Sequence, residues 1–181
     1  PVRVFVPLCG KTVDMAFLAL QESVSQVVGV DGVKKALEAF AEEQPQLEII
    51  QSSVTASSPD AVFHRFQGKK IELLQGDFFE LDETHTAGTF DVIFDRASLV
   101  AIDPALREKY VDVMGKLLKP GGKILLVTIE RCSGDEAADQ SAGPPFSVPE
   151  TEVRRLYESQ SWIESVTVLD DSVKSRNSGA G

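Results

Sequence analysis

Val2-Arg-Val-Phe-Val-Pro-Leu-Cys-Gly-Lys-Thr12, followed by Gln26-Val-Val-Gly-Val-Asp31, decides how this chain folds. The first segment begins as an apolar run broken only by Arg3, which suits a strand buried on both faces of a parallel sheet. Pro7 to Thr12 punctuates it, and Met15, Leu18 and Leu20 then fall on a short helix. The second run is another buried strand, closed by Asp31-Gly32. After it Val33, Leu37 and Phe40 recur at helical spacing, with Lys34, Lys35, Glu38 and Glu42 outward. Strand, helix, strand, helix is the pattern of a parallel sheet with right-handed crossovers.

The pattern continues along the chain. Leu47 to Ile50 is a candidate strand, and Ser52 to Asp60 is a Ser-rich loop. Ala61–Phe66 and Lys70–Leu74 flank Gln67-Gly68 as a hairpin inserted before the third core strand, Ile71–Leu74. Phe90–Phe94 is the fourth strand, with Asp95 at its end. Asp103 as N-cap and Pro104 at N1 predict a helix to Leu118, stopped by Lys119-Pro-Gly-Gly122. Lys123–Ile129 is the fifth strand, Arg131–Pro145 a polar loop, and Val148-Pro-Glu150 opens a helix to about Gln160. A last strand is expected near Ser165–Leu169, and Ser172–Gly181 shows no apolar period. The resulting fold class is α/β: one domain over residues 1–181, a doubly wound, mostly parallel sheet with helices on both faces.

Composition narrows the function. The 181 residues are 43% hydrophobic and 25% charged, ordinary for a globular domain. A chain of this length buries roughly 70% of its unfolded surface and needs no disulfide or metal staple. Lys and Arg total 18 against 28 Asp and Glu, a net charge of -10, which argues against nucleic acid as a partner. No run approaches a membrane span, and Cys9 and Cys132 form neither a disulfide framework nor a zinc quartet. A cytoplasmic monomer acting on a small molecule, without a metal, is the expectation.

In a doubly wound sheet ligands sit at the carboxyl ends of the strands, so the residues there carry the chemistry. Gly10 gives a close turn after the first strand, with Leu8 and Thr12 where a glycine-rich loop has further glycines. No G-x-x-x-x-G-K-[ST] surrounds Lys11, which excludes a P-loop ATPase. Asp31, 21 residues beyond Gly10, can accept from ribose hydroxyls or cap the next helix. Asp77 can accept from an adenine amine while Phe78 stacks on the ring; the alternative is a turn with two core phenylalanines. Arg96 can steer an anionic acceptor or pair with Asp91 or Asp95. Gly143-Pro-Pro-Phe146 can form a stiff pocket wall or a rigid crossover. His64 and His85 lack metal-spaced partners, Cys9 is a small packed residue, and Asp135–Asp139 is a solvated loop.

Together the segments Val4-Phe-Val-Pro-Leu-Cys-Gly-Lys-Thr-Val-Asp-Met15, Val28-Gly-Val-Asp31, Gly76-Asp-Phe-Phe79, Asp95-Arg-Ala-Ser-Leu-Val-Ala-Ile102 and Gly143-Pro-Pro-Phe146 resemble the thiopurine S-methyltransferase family. The similarity runs from about residue 2 to 160. It implies a class I methyltransferase fold, S-adenosylmethionine as cofactor, S-adenosylhomocysteine as product, and methyl transfer to the sulfur of a thiopurine or similar thiol. Carried over by motif, Leu8 and Gly10 line the cofactor turn, Asp31 holds ribose, and Asp77 with Phe78 flanks adenine. Arg96 lies near the methionine end or the acceptor, as the one catalytic candidate, and Pro145 with Phe146 walls the acceptor pocket. The family also carries a lid segment before strand one and a further strand after Ser172–Arg176, both expected to be lacking here. Related readings are a halide, bisulfide, simple thiol, or selenium and tellurium methyltransferase. Readings of other classes are an NAD-binding oxidoreductase, weakened by the poor glycine pattern, and a silent nucleoside-binding module.

Overall fold

The computed structural model describes residues 1–51, 63–131 and 142–169. The Ser-rich loop, the acidic stretch 135–139, Cys132 and the tail from 172 lie outside the described residues. In chain order the elements are β1 (Val2–Val6), α1 (Val13–Ala19), β2 (Val24–Asp31), α2 (Lys34–Glu43), β3 (Ile50–Gln51), β4 (His64–Gly68), β5 (Ile71–Gln75), β6 (Phe90–Arg96), α3 (Arg107–Leu117), β7 (Leu118–Val127) and α4 (Glu150–Tyr157).

Among the described residues seven strands form one sheet in the order β3-β4-β5-β2-β1-β6-β7. β5, β2, β1, β6 and β7 run parallel, while β4 pairs antiparallel with both β5 and β3. The winding reverses between β1 and β6, so their following loops part and leave a crevice at the carboxyl ends.

Period-two alternation divides the core. Val4 and Val6 of β1, Val27 of β2, and Ile71 and Leu73 of β5 pack beneath Met15 and Ala16 of α1 and Leu37 and Phe40 of α2. Phe5, Val28, Val30 and Leu74 face the other way, onto Tyr110, Val111 and Met114 of α3 and Leu156 of α4. Both faces are therefore covered, which is why these strands read as unbroken apolar runs.

Several expectations shift in register or fail. The β4–β5 turn falls at Lys69-Lys70, since Gly68 pairs with Ile71, and Lys70 takes the left-handed conformation (φ 53°). Leu47 ends a 3-10 turn from Pro45, leaving only Ile50–Gln51 as strand. The helix expected from Pro104 opens with a 3-10 turn, Pro104–Leu106, whose N-cap Asp103 accepts from the Ala105 N–H at 2.9 Å. Lys119–Gly122 does stop α3, yet it becomes a bulge within β7: Phe90 pairs with Leu118 and Val92 with Lys123. The strand expected at Ser165–Leu169 is not formed. Val166 instead packs against the α3/α4 core, and its carbonyl accepts from Arg154 at 3.5 Å, so the segment is held by its side chain rather than a ladder.

Gly29 in β2 lies against Cys9 of the β1 loop and Met15 of α1. A Cβ there would meet Cys9 Sγ and Met15 Sδ, each at 2.7 Å. Gly29→Ala is expected to destabilise the protein by about 1–3 kcal/mol through overpacking, measured by the urea midpoint.

Candidate functional site

The loop leaving β1 is tied to the end of β2. The Cys9 N–H donates to the Val30 carbonyl at 2.9 Å, and the Gly10 N–H to Asp31 Oδ2 at 2.8 Å. Leu8 and Gly10 both have positive φ, 39° and 48°. Glycine takes this conformation without cost, whereas at Leu8 it is strained and held by these bonds. The second Asp31 oxygen accepts from the Val33 N–H at 2.8 Å, an Asx turn that leads into α2. An ionised carboxylate offers about four acceptor positions, so Asp31 braces the turn and keeps capacity for hydroxyl donors. The two alternatives open for Asp31 are thus compatible. Cys9 is buried, and desolvation, followed by the Asp31 charge, pushes its thiol pKa well up, so it stays a packed thiol.

Asp31 pairs with Gln75 across β2 and β5, and the Gly76 N–H reaches the Asp31 carbonyl at 3.2 Å, which sets Asp77 beside the same end. Asp77 is exposed and caps the 3-10 turn Phe78–Glu80 by accepting from the Phe79 N–H at 2.9 Å. That cap corrects the role expected of Phe78. Its ring is buried, stacked 4.7 Å from Tyr110 and 6.4 Å from Phe5, because the first residue of the turn points back under the sheet. Phe79 is the half-buried aromatic at this strand end, edge-on to Phe78, with Lys109 Nζ 4.9 Å from its centroid.

At the end of β6, Arg96 pairs with neither Asp91 nor Asp95. Its Nε donates to Asp14 Oδ2 at 2.6 Å and its Nη2 to Thr12 Oγ1 at 3.3 Å. Asp91 is occupied by the Arg3 N–H and Lys119, and Asp95 by the Tyr110 hydroxyl. β6 lies beside β1, so residue 96 meets the first turn of α1 instead. The Arg96 side chain is 51% exposed, which places the pair in the class worth about 0–1 kcal/mol. The guanidinium can therefore be redirected at low cost. Leu8, Cys9, Thr12, Asp14, Arg96 and Ala97 border a cavity of about 180 Å³. A larger recess of about 400 Å³ lies at the amino ends of the strands, where Arg3 is bound to Gln26 and to two backbone carbonyls. The smaller one is the recess at the carboxyl ends of the strands.

Pro145 is exposed and Phe146 half-buried. The Phe146 N–H donates to the Val100 carbonyl at 2.6 Å, which fastens this segment to the turn following Arg96. The Phe146 ring lies against Gly143, where any Cβ would overlap it. Leu8, Gly10, Asp31, Arg96 and, through Val100, Phe146 are thus gathered at one end of the sheet. Among the described residues no cluster of His, Cys, Asp or Glu is arranged for a metal ion.

Three comparisons bear on this arrangement. The family model of thiopurine S-methyltransferase (TPMT) matches residues 1–181. The chain belongs to the thiopurine S-methyltransferase family. It is 40% identical over 158 residues to the thiopurine S-methyltransferase of Pseudomonas paraeruginosa, covering 86% of this chain and 64% of the relative. The chain thus spans just under two thirds of the length of the curated relatives it matches. Among solved structures it resembles the YcgJ protein of Bacillus subtilis (TM-score 0.59, 17% identity, 87% of this chain and 60% of that one). It also resembles the 1,6-didemethyltoxoflavin-N1-methyltransferase of Burkholderia thailandensis, solved with S-adenosylhomocysteine bound (TM-score 0.55, 19% identity, 88% and 59%). The likenesses to solved structures show the fold, a mostly parallel Rossmann-like sheet shared with class I methyltransferases.

Sequence reasoning missed Thr12 and Asp14 as partners of Arg96, although a Thr two residues before an Asp at a helix start is a recognisable cap, and adjacency of the first and fourth strands would have brought them to residue 96. Asp31→Ala, which leaves the Gly10 and Val33 N–H groups without their acceptor, is expected to lower stability by about 1–3 kcal/mol in urea unfolding. Asp31→Asn, which keeps one acceptor, should fall between.

Proposed function

We propose that the protein is an S-adenosylmethionine-dependent S-methyltransferase acting on a thiopurine or a similar heterocyclic thiol. The observation that carries the reading is the bonded pair Gly10–Asp31 at the switch point, in a chain of this family. The residues present fit the cofactor. Asp31 has acceptor capacity for a ribose diol, exposed Asp77 for an exocyclic amine, Phe79 an aromatic surface for adenine in place of Phe78, and Leu8 with Gly10 a close backbone. When bound, S-adenosylmethionine supplies a methyl group already activated on a sulfonium.

The chain's own residues then have a limited task. Arg96 attracts an anionic thiol or thione toward the crevice, exchanging its weak contact with Asp14 for the acceptor. Pro145 and Phe146 wall the pocket and keep water from the nucleophile. An acceptor with thiolate character needs little help from a general base. The acidic surface disfavours nucleic acid as a partner, no described helix is long and apolar enough to cross a membrane, and we read the setting as the cytoplasm.

A thermal-shift series tests the cofactor. S-adenosylhomocysteine at 100 times its Kd should stabilise by about 2.7 kcal/mol, raising Tm by roughly 5–10 °C, and NAD should leave it unchanged. A methylation panel of a thiopurine, a simple thiol, iodide and selenite then identifies the acceptor, and exclusive turnover of iodide or selenite would reject a thiopurine. Arg96→Ala should lower kcat/KM for anionic thiols by about tenfold while sparing neutral ones. Equal loss for both would show that Arg96 does not recognise acceptor charge.

A further inference from the structure

Asp95 is fully buried at the end of β6, yet the proposed chemistry gives it no role. Its Oδ2 accepts from the Tyr110 hydroxyl at 2.8 Å, and its Oδ1 from the N–H groups of Ser98 at 3.2 Å and Leu99 at 3.3 Å. Each contact leads to a different wall of the crevice. The Ser98 hydroxyl donates to the Pro7 carbonyl at 2.7 Å and so fixes the start of the β1 loop that carries Leu8 and Gly10. Tyr110 stacks under Phe78, the residue between Asp77 and Phe79. The Ser98 and Leu99 bonds close the turn over Ala97, which holds a left-handed φ of 66° next to Arg96.

We propose that Asp95 is a positioning residue of the cofactor site: its ionised carboxylate holds the loops after β1, β5 and β6 in their binding arrangement. The inference rests on the methyltransferase reading and adds to it a group that touches neither cofactor nor acceptor.

Among the described residues the ionisable groups facing Asp95 are Tyr110 of α3 and Tyr157 of α4, whose buried hydroxyl has no hydrogen-bond partner among them. Among the described residues no cation is paired with this charge. Arg96 is held by Asp14 and Thr12, and Arg107 of α3 by the Ser147 carbonyl and Glu152. Burial accordingly pushes the Asp95 carboxyl up to about 6, against the opposing pull of the Tyr110, Leu99 and Ser98 hydrogen bonds. Protonation cannot leave all three bonds with the carboxylate as acceptor. A proton on Oδ2 forces the Tyr110 hydrogen away, and one on Oδ1 competes with the backbone N–H groups.

Stability and binding then respond to pH in opposite directions. Because the folded pKa lies above that of an exposed aspartate, the folded state holds the extra proton, and ionising Asp95 costs stability as pH rises through about 6. The same ionisation tightens the crevice. A carboxylate with only a structural role would not separate the two.

Calorimetry with S-adenosylhomocysteine from pH 5.5 to 7.5, on the wild type, Asp95→Asn and Tyr110→Phe, tests this. Wild-type affinity should fall by about threefold as pH drops across this range, the part of a tenfold difference between ionised and neutral Asp95 that a pKa of about 6 expresses there. Asp95→Asn should bind about tenfold more weakly than wild type at pH 7.5, show a flat pH profile, and melt no lower than wild type without ligand. Tyr110→Phe keeps the ring on Phe78 and removes one bond that lowers the carboxyl pKa, so its binding midpoint should move to higher pH. It remains decisive if Asp95→Asn does not fold. Wild-type affinity at pH 7.5 in Asp95→Asn, or an unmoved midpoint in Tyr110→Phe, would overturn the inference. A wild type that ignores S-adenosylhomocysteine at every pH would overturn the methyltransferase reading itself, and this inference with it.

Discussion

The hydrogen bond from the Gly10 N–H to Asp31 Oδ2 joins the two central strands where they stop being a sheet and become a site. It can form because β1 and β2 run parallel, with Val6 opposite Gly29, so both chains emerge at one end. The missing side chain at Gly29 lets Cys9 and Met15 settle against β2. Cys9 then bonds Val30, and Gly10 arrives at Asp31. The rest of the crevice depends on that closure. α1 starts at a fixed place, its Thr12 and Asp14 meet Arg96 across the crevice, and Asp31 turns the chain into α2. The strained φ of Leu8 persists because the surrounding bonds determine it from both sides.

Much of this was legible in the chain because it is written in local patterns. Apolar runs such as Val27-Val28 mark strands covered on both faces, and Leu37 with Phe40 marks the buried side of α2. The positions of Gly10, Asp31, Asp77 and Arg96 at strand ends follow once the strands are placed. Choices between neighbours were not legible. Phe78 and Phe79 are chemically equal, and only the cap made by Asp77 decides which ring is buried. The partner of Arg96 depends on which strands adjoin, since Asp91 and Asp95 are near in sequence and Asp14 is near in space. Tyr110 on Asp95 is a tertiary contact with no local signal. The strand expected at Ser165–Leu169 has a plausible apolar content, but a ladder needs an adjoining edge, and Val166 found a helix surface instead.

Electrostatics give the site its polarity. Asp14, Asp31 and Asp77 gather at the strand ends in a chain of net charge -10, and Arg96 stands among them as a half-exposed cation on a loosely held stem. Lys11 is paired with Glu43, and Lys109 lies over Phe79. An anion approaching this rim meets repulsion from the carboxylates, so under the proposed function recognition of a thiolate would concentrate on Arg96. A positively charged sulfur, by contrast, enters a field already favourable to it.

β7 has a second consequence, for behaviour in concentrated solution. Its amino half carries Lys119, Pro120 and the bulge at Gly121, features that discourage another strand from adding alongside. Its carboxyl half has Leu125 and Val127, 39% and 46% exposed, without such a guard among the described residues. Self-association of the described sheet would therefore nucleate at the Leu125–Val127 end and spread outward from there, so a lysine at one of these two positions would be the economical route to a better-behaved sample.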